Sequence, residues 1–125
     1  MREPDPPVLD EGTLAELAAS VGGDASFVVE LVETYLGDAP QQIAEIQAAA
    51  AANDAAALVR PAHTLKSSSA TVGALRLAGR SRRLEVAGRS EVIDDPATRD
   101  ALAGLAAEWE ATSRALRTWV AGADR

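Results

Sequence analysis

The chain has no cysteine, one histidine, and aromatic residues at only 3% of its 125 positions. Without thiols it has neither a disulfide framework nor a thiolate metal site. A lone imidazole with no carboxylates clustered around it argues against a zinc centre, so no metal is expected. So few rings leave the core to Ala, Leu, Val and Ile, which favours helices packed through small side chains over a β-sandwich. Long hydrophobic runs are missing too. Ala48 to Ala52 is far too short to span a bilayer, and the N-terminal MREPDPPVLDEG lacks the apolar stretch of a signal peptide. These absences predict a cytoplasmic domain without membrane attachment. Basic residues are outnumbered 12 to 19, for a net charge of −7, so a nucleic-acid backbone would be repelled.

What is present is helical periodicity. A length of 125 residues suits one domain. Residues 1–12 carry three prolines and four acids and read as a flexible lead-in, with the folded domain at 13–122. Thr13 with Glu16 forms a capping-box pattern ahead of the stripe Leu14, Leu17, Ala18 and Val21, closed by Gly22-Gly23. Asp24 caps a second pattern through Phe27, Val28, Leu31, Val32, Tyr35 and Leu36. That pattern resumes after Pro40 with Ile43, Ile46 and Ala50, so a break near Gly37 to Pro40 or one long bent helix is expected, ending at Asn53. A third helix from Asp54 to Gly73 and a fourth from Ala74 to about Gly88 follow. The last begins at Asp95-Pro96 and continues through Leu102, Leu105, Trp109, Thr112, Leu116 and Trp119. No segment alternates as a strand would. The expected fold is all-α, a bundle with short connections and mostly antiparallel neighbours.

The single histidine lies in AHTLKSSSATVGA, Ala62 to Ala74. At about 100° per residue, Leu58, Pro61, Leu65 and Val72 fall on the far side of the helix from His63, flanked by Ala62 and Ser69. The near side carries Ala56, Val59, Arg60, Lys66, Ser67 and Ala70. An imidazole tucked at the core edge is the ordinary reading of a lone helical histidine, but the core-facing positions are already aliphatic. An ordinary solvated face would hold more Glu and Lys. A flat strip of small residues instead suits docking another protein. Imidazole, with an ordinary pKa of about 6.5, keeps a free lone pair at neutral pH and can attack phosphorus. Lys66, one turn on, favours the neutral ring and can neutralise phosphoryl oxygens. No nucleotide-binding loop, Mg²⁺-binding acid cluster or kinase signature accompanies it, so no ATP-dependent kinase activity is expected.

Over 23 consecutive residues the segment reads H-x-L-K-S-S-S-x-x-x-G-x-x-x-L-x-x-x-S-x-x-L-E, from His63 through Leu65, Lys66, Ser69, Gly73, Leu77, Ser81 and Leu84 to Glu85. This resembles the signature of histidine-containing phosphotransfer (HPt) domains of bacterial multistep phosphorelays. VLDEGTL and GGDASFVVELVETYLGDAP extend the likeness over most of the chain. The resemblance implies an antiparallel four-helix bundle with an additional short N-terminal helix. It also implies a carrier, not an enzyme, in which His63 takes a phosphoryl group from one receiver-domain aspartate and passes it to another. The partners would be response-regulator receiver domains and a hybrid sensor histidine kinase. The chain would carry no cofactor, its Mg²⁺ being supplied by the receiver. Lys66 matches the family lysine near the phosphoryl group, Glu85 the acid that holds the other ring nitrogen in some relatives, and Arg89 would add a second cation. Ala56, Val59, Arg60, Ser67 and Ala70 would form the receiver-docking surface, and Leu65, Ser69, Gly73, Leu77, Ser81 and Leu84 the structural part of the motif.

Two departures carry consequences. Ser67 stands where the family often has glycine, its hydroxyl placed to bond the His63 carbonyl. Pro61 cannot donate to the carbonyl of Ala57, so the helix is expected to kink there or start afresh near Arg60. The rival readings are the same bundle acting as a non-phosphorylated docking module for a receiver or kinase, and a small phosphohistidine-using enzyme. No second acid–base pair near His63 supports the enzyme. A monomer is expected, since the apolar stripes are used up within one bundle.

Overall fold

The structure is a computed structural model that describes residues 6–123. Six α-helices and no strand occur among these residues, so the chain is all-α. They are α1 (Glu11–Ser20), α2 (Ala25–Ala51), α3 (Ala55–Thr71), α4 (Leu75–Ser90), α5 (Pro96–Ala103) and α6 (Leu105–Ala123).

Helix α1 starts earlier than the sequence pattern predicts. Asp10, and not Thr13, is its N-cap: one carboxylate oxygen accepts from the Gly12 amide at 3.1 Å and the other from the Thr13 hydroxyl at 3.0 Å. An aspartate at that position satisfies an orphan amide and adds negative charge at the positive end of the helix. Asp10 to Gly12 therefore belong to the folded unit and not to a lead-in. Residues 1–5 of the expected lead-in lie outside the described residues. The Asp10 amide also donates to the Gly73 carbonyl at 2.8 Å, fastening this start to the α3–α4 turn. Gly73 sits at φ +80°, and a Cβ there would lie 2.5 Å from the Asp10 carbonyl oxygen. The turn needs glycine for both its backbone angle and its closeness.

Helix α2 is uninterrupted across Pro40. Its buried residues, Val28, Val32, Tyr35, Ala39, Ile43, Ile46 and Ala49, keep the three- and four-residue rhythm on both sides of the proline. Pro40 faces outward, where water can take the carbonyl that lost its donor. Phe27 and Val21, read from the sequence as parts of apolar stripes, are exposed.

Helix α3 likewise neither stops nor restarts at Pro61. It begins at Ala55 behind an Asp54 cap (Ala57 N–H to Oδ1, 3.1 Å) and continues to Thr71. Ala57, whose carbonyl has no donor at position 61, is solvent-exposed, while the Pro61 ring is buried. Burying that ring adds to the core and helps offset the missing hydrogen bond.

The C-terminal pattern is two helices with a break at Gly104. Arg80, from α4, causes the departure from one continuous helix. Its guanidinium donates to the carbonyls of Asp100 and Ala101 (3.2 and 3.1 Å) and lies 3.6 Å from Glu108. A Cβ at residue 104 would stand 2.5 Å from an Arg80 nitrogen, so glycine leaves the room this side chain occupies.

Helix α3 packs against α4 and α2, α6 lies against α2 and α4, and α1 rests on α2. The core between them is aliphatic, with Leu14, Ile46, Leu58, Leu65, Leu77, Leu84, Leu105 and Leu116 fully buried. Helices α3 and α4 approach closely at Gly88, where a Cβ would lie 2.9 Å from both the Ala55 carbonyl oxygen and Val59 Cγ2. That closeness brings side chains of the two helices into direct contact one to two turns away, at His63 and Glu85.

Candidate functional site: a histidine held by a buried glutamate

Helix α3 turns Leu58, Pro61, Ala62, Leu65, Ser69 and Val72 into the core. His63 is thereby directed outward, its side chain 53% exposed. Opposite it on α4, Glu85 is one residue past the fully buried Leu84, and its side chain is only 7% exposed. Glu85 Oε2 lies 2.9 Å from His63 Nδ1. A carboxylate offers no proton, so Nδ1 carries the hydrogen and donates it. In a neutral ring, the lone pair is then on Nε2.

A buried carboxylate needs compensation, and two cations supply it. Lys66 Nζ is 2.7 Å from Oε1, while Arg89 reaches Oε2 through Nη2 at 2.8 Å and Nε at 3.1 Å. The Lys66 ammonium, foremost, holds the Glu85 carboxyl down at about 2 against the opposing effect of burial. Arg89 and the His63 hydrogen bond add to that effect. Glu85 is therefore ionised at neutral pH. One anion between two cationic side chains leaves a net charge of about +1, before the imidazole is counted, beside the exposed ring. Such a site attracts an anion and offers it a nucleophile.

All four chemistry-bearing residues named from the sequence, His63, Lys66, Glu85 and Arg89, meet in this cluster. Glu85 differs from an ordinary surface carboxylate in being buried, and Lys66 is engaged with it instead of standing free. Ala56, Arg60, Ser67 and Ala70 are exposed on the His63 side of α3, and Val59 is half-buried where it supports the close approach at Gly88. The hydroxyl bond to a carbonyl one turn back, expected of Ser67 toward His63, is made by Ser68 to Thr64 at 3.0 Å. Leu65, Leu77 and Leu84 are core residues. Ser81 returns its hydroxyl to the Leu77 carbonyl at 2.7 Å. Ser69 is fully buried, and its hydroxyl meets the Tyr35 hydroxyl at 2.7 Å. Burial pushes the Tyr35 phenol well above its ordinary range.

Sequence reasoning missed Tyr35 as the partner of Ser69, and Arg80 altogether. Tyr35 stood in an apolar stripe, where its hydroxyl gave no separate signal. Arg80 is one of five arginines on α4, and no local pattern separates it from the exposed ones. Among the described residues no group of three or more His, Cys, Asp or Glu is placed to hold a metal ion. Nor is any helix there long and apolar enough to cross a membrane.

An all-helical domain that presents one imidazole outward, with its inner nitrogen tied to a buried acid, has the form of a phosphoryl-carrier domain. The chain belongs to the Hpt domain family, whose model matches residues 30–119. In structure it is similar to histidine-containing phosphotransfer protein B (HptB) from Pseudomonas aeruginosa. The TM-score is 0.78 and the sequence identity 25%, over 91% of this chain and 95% of that one. No curated protein sequence matches the chain.

Proposed function

We propose that the chain is a phosphorelay intermediary that receives a phosphoryl group on His63 Nε2 from a receiver-domain aspartate and delivers it to the aspartate of another receiver. The observation that carries this reading is the 2.9 Å bond from His63 Nδ1 to the buried Glu85 carboxylate, which leaves the lone pair on the exposed nitrogen. In the forward step, Nε2 attacks the phosphorus of an aspartyl phosphate. The N–P bond forms as the P–O bond to the aspartate breaks, and the carboxylate leaves with that electron pair. The phosphorylated ring keeps its Nδ1 hydrogen and becomes cationic, and the Glu85 charge opposite stabilises it. Lys66 and Arg89 bring positive charge to the phosphoryl oxygens. The second transfer is the same step reversed onto a different aspartate.

The receiver supplies Mg²⁺ in this scheme, and this chain supplies the nucleophile and its orientation. It is a carrier and not a kinase. Helices α2, α3, α4 and α6 make an antiparallel four-helix bundle with α1 as the additional N-terminal helix, occupying residues 13–122 together with the start at Asp10. The working form is a cytoplasmic monomer that receives phosphoryl groups originating at a hybrid sensor histidine kinase. Ala56, Val59, Arg60, Ser67 and Ala70 surround His63 with small side chains that let a receiver approach.

The test is to incubate the protein with a phosphorylated receiver and Mg²⁺ and measure acid-labile, alkali-stable phosphate. Wild type takes up label and His63→Gln does not. Equal labelling of both, or none of wild type from any receiver of its own genome, sinks the proposal.

A further inference from the structure

His63 divides the exposed face of α3 into two flanks, and the contacts of each show which helix it borders. At about 100° per residue, Val59 and Lys66 lie about 40° and 60° to one side of His63, and Ser67 and Arg60 about 40° and 60° to the other. The first flank borders α4. Lys66 Nζ is 2.7 Å from Glu85 Oε1, and Val59 Cγ2 stands 2.9 Å from where a Cβ on Gly88 would be. The second borders α2, since Arg60 shares a hollow with Glu45, Ala48 and Ala49. Nδ1 of His63 is tied to Glu85, on the α4 flank. The two nitrogens of an imidazole are distinct sites on opposite sides of one ring carbon, and their bonding directions diverge widely. Nε2 therefore points outward and away from α4, toward the flank of Arg60 and Ser67.

Lys66 and Arg89 are both held on the Glu85 carboxylate, on the other side of the ring, so their charge reaches a group on Nε2 at longer range. Arg60 is exposed, one turn before His63 on the same face of α3, and forms no ion pair among the described residues. Two acids border its hollow, and each accepts from another donor: Glu45 from the Gln41 amide at 3.3 Å and Asp54 from the Ala57 amide at 3.1 Å. Residues three apart on a helix are neighbours, and the long arginine side chain spans that distance with a fork of donors that fits phosphoryl oxygens. Ser67, small and exposed on the same flank, leaves the space beside Nε2 open. We propose that Arg60 is a phosphoryl-binding residue of this chain, its guanidinium donating to oxygens of the phosphoryl group carried on His63 Nε2. This assignment rests on the relay reading given above.

The test phosphorylates the whole chain on His63, with phosphoramidate or a phosphorylated receiver as donor, and follows the phosphoryl signal by phosphorus NMR as pH is varied. A cation in contact favours the dianion, so Arg60→Gln raises the titration midpoint of the phosphoryl group by about half a pH unit, the size of one exposed charge contact. Arg60→Lys restores part of the shift, and Arg89→Gln moves the midpoint less than Arg60→Gln does. In single-turnover transfer from the receiver, Arg60→Gln lowers the saturating rate about fivefold and leaves the half-saturating concentration within about twofold. Position 60 is exposed, and circular dichroism checks each fold; should Gln lower helicity, Arg60→Ala takes its place. A midpoint equal to wild type in Arg60→Gln, or a larger shift in Arg89→Gln, overturns the assignment and leaves the relay standing. So does a rise in half-saturating concentration alone, which is the mark of a docking contact. A wild-type chain that takes no phosphoryl group on His63 from either donor ends the relay reading and this assignment with it.

Discussion

Replacing Glu85 by Gln removes one charge while keeping the side chain's shape and an oxygen able to accept from His63 Nδ1. In the native protein this carboxylate contacts Lys66 at 2.7 Å, Arg89 at 2.8 Å and His63 at 2.9 Å. Its carboxyl is held at about 2, against an ordinary value of 4.5, and that displacement bounds the stabilisation at roughly 3 kcal/mol. The three partners are between 32% and 60% exposed, so solvent screens much of the attraction and they return to water when the anion is lost. An expected loss of about 1–2 kcal/mol at pH 7 follows, or roughly 4–8 °C in melting temperature for a domain of this size.

The sign with pH is fixed, because the folded value lies below the unfolded one. The contribution is complete above about pH 4.5 and disappears as pH falls toward 2. Thermal melts of wild type and Glu85→Gln, followed by circular dichroism, therefore separate at pH 7, draw closer by pH 3 and converge only toward pH 2. Nitrogen NMR of the imidazole should also show mixed tautomers in the variant, where wild type has the hydrogen on Nδ1. Identical melts at pH 7, or a difference that does not change between pH 7 and pH 3, would refute the reasoning.

Three substitutions test the frame that positions the site. Gly73→Ala places a methyl group 2.5 Å from the Asp10 carbonyl oxygen at a positive φ, and should cost about 2–4 kcal/mol in urea denaturation. At Gly88→Val the new side chain meets the Ala55 carbonyl and Val59. It should push α3 from α4 and lower the midpoint by about 1–3 kcal/mol, with a matching shift of the His63 ring resonances. Tyr35→Phe and Ser69→Ala each orphan a buried hydroxyl and are expected to cost about 1–2 kcal/mol. The double variant should recover part of that loss in a mutant cycle, since it removes both polar groups.

The helices of this chain are legible because its apolar residues recur with a period that only one backbone satisfies. The orientation of His63 was legible for the same reason: Leu58, Leu65 and Val72 fix the inner face of α3, and position 63 is opposite. Of the two alternatives at Pro40 the single long helix is the one found, and at Pro61 the helix does not start afresh, the ring being buried and Ala57 open to water. The capping pattern at Thr13 was overridden by Asp10, whose carboxylate takes both the Gly12 amide and the Thr13 hydroxyl. What no local pattern conveys is contact across helices. The depth of Glu85, the pairing of Tyr35 with Ser69, and the insertion of Arg80 at Gly104 depend on how far apart two helices lie, and small side chains far along the sequence set that distance.

The bond between His63 and Glu85 spans two helices that are continuous only through the turn at Gly73. The proton's position on the imidazole is thus a property of the α3–α4 pair and not of either strand of sequence. Any excursion that parts these helices, even briefly, lets the ring exchange tautomers and releases its outer nitrogen from its assigned form. In the proposed relay, reactivity at the ring and integrity of the hairpin rise and fall together, and an incompletely folded chain would also be a poor acceptor.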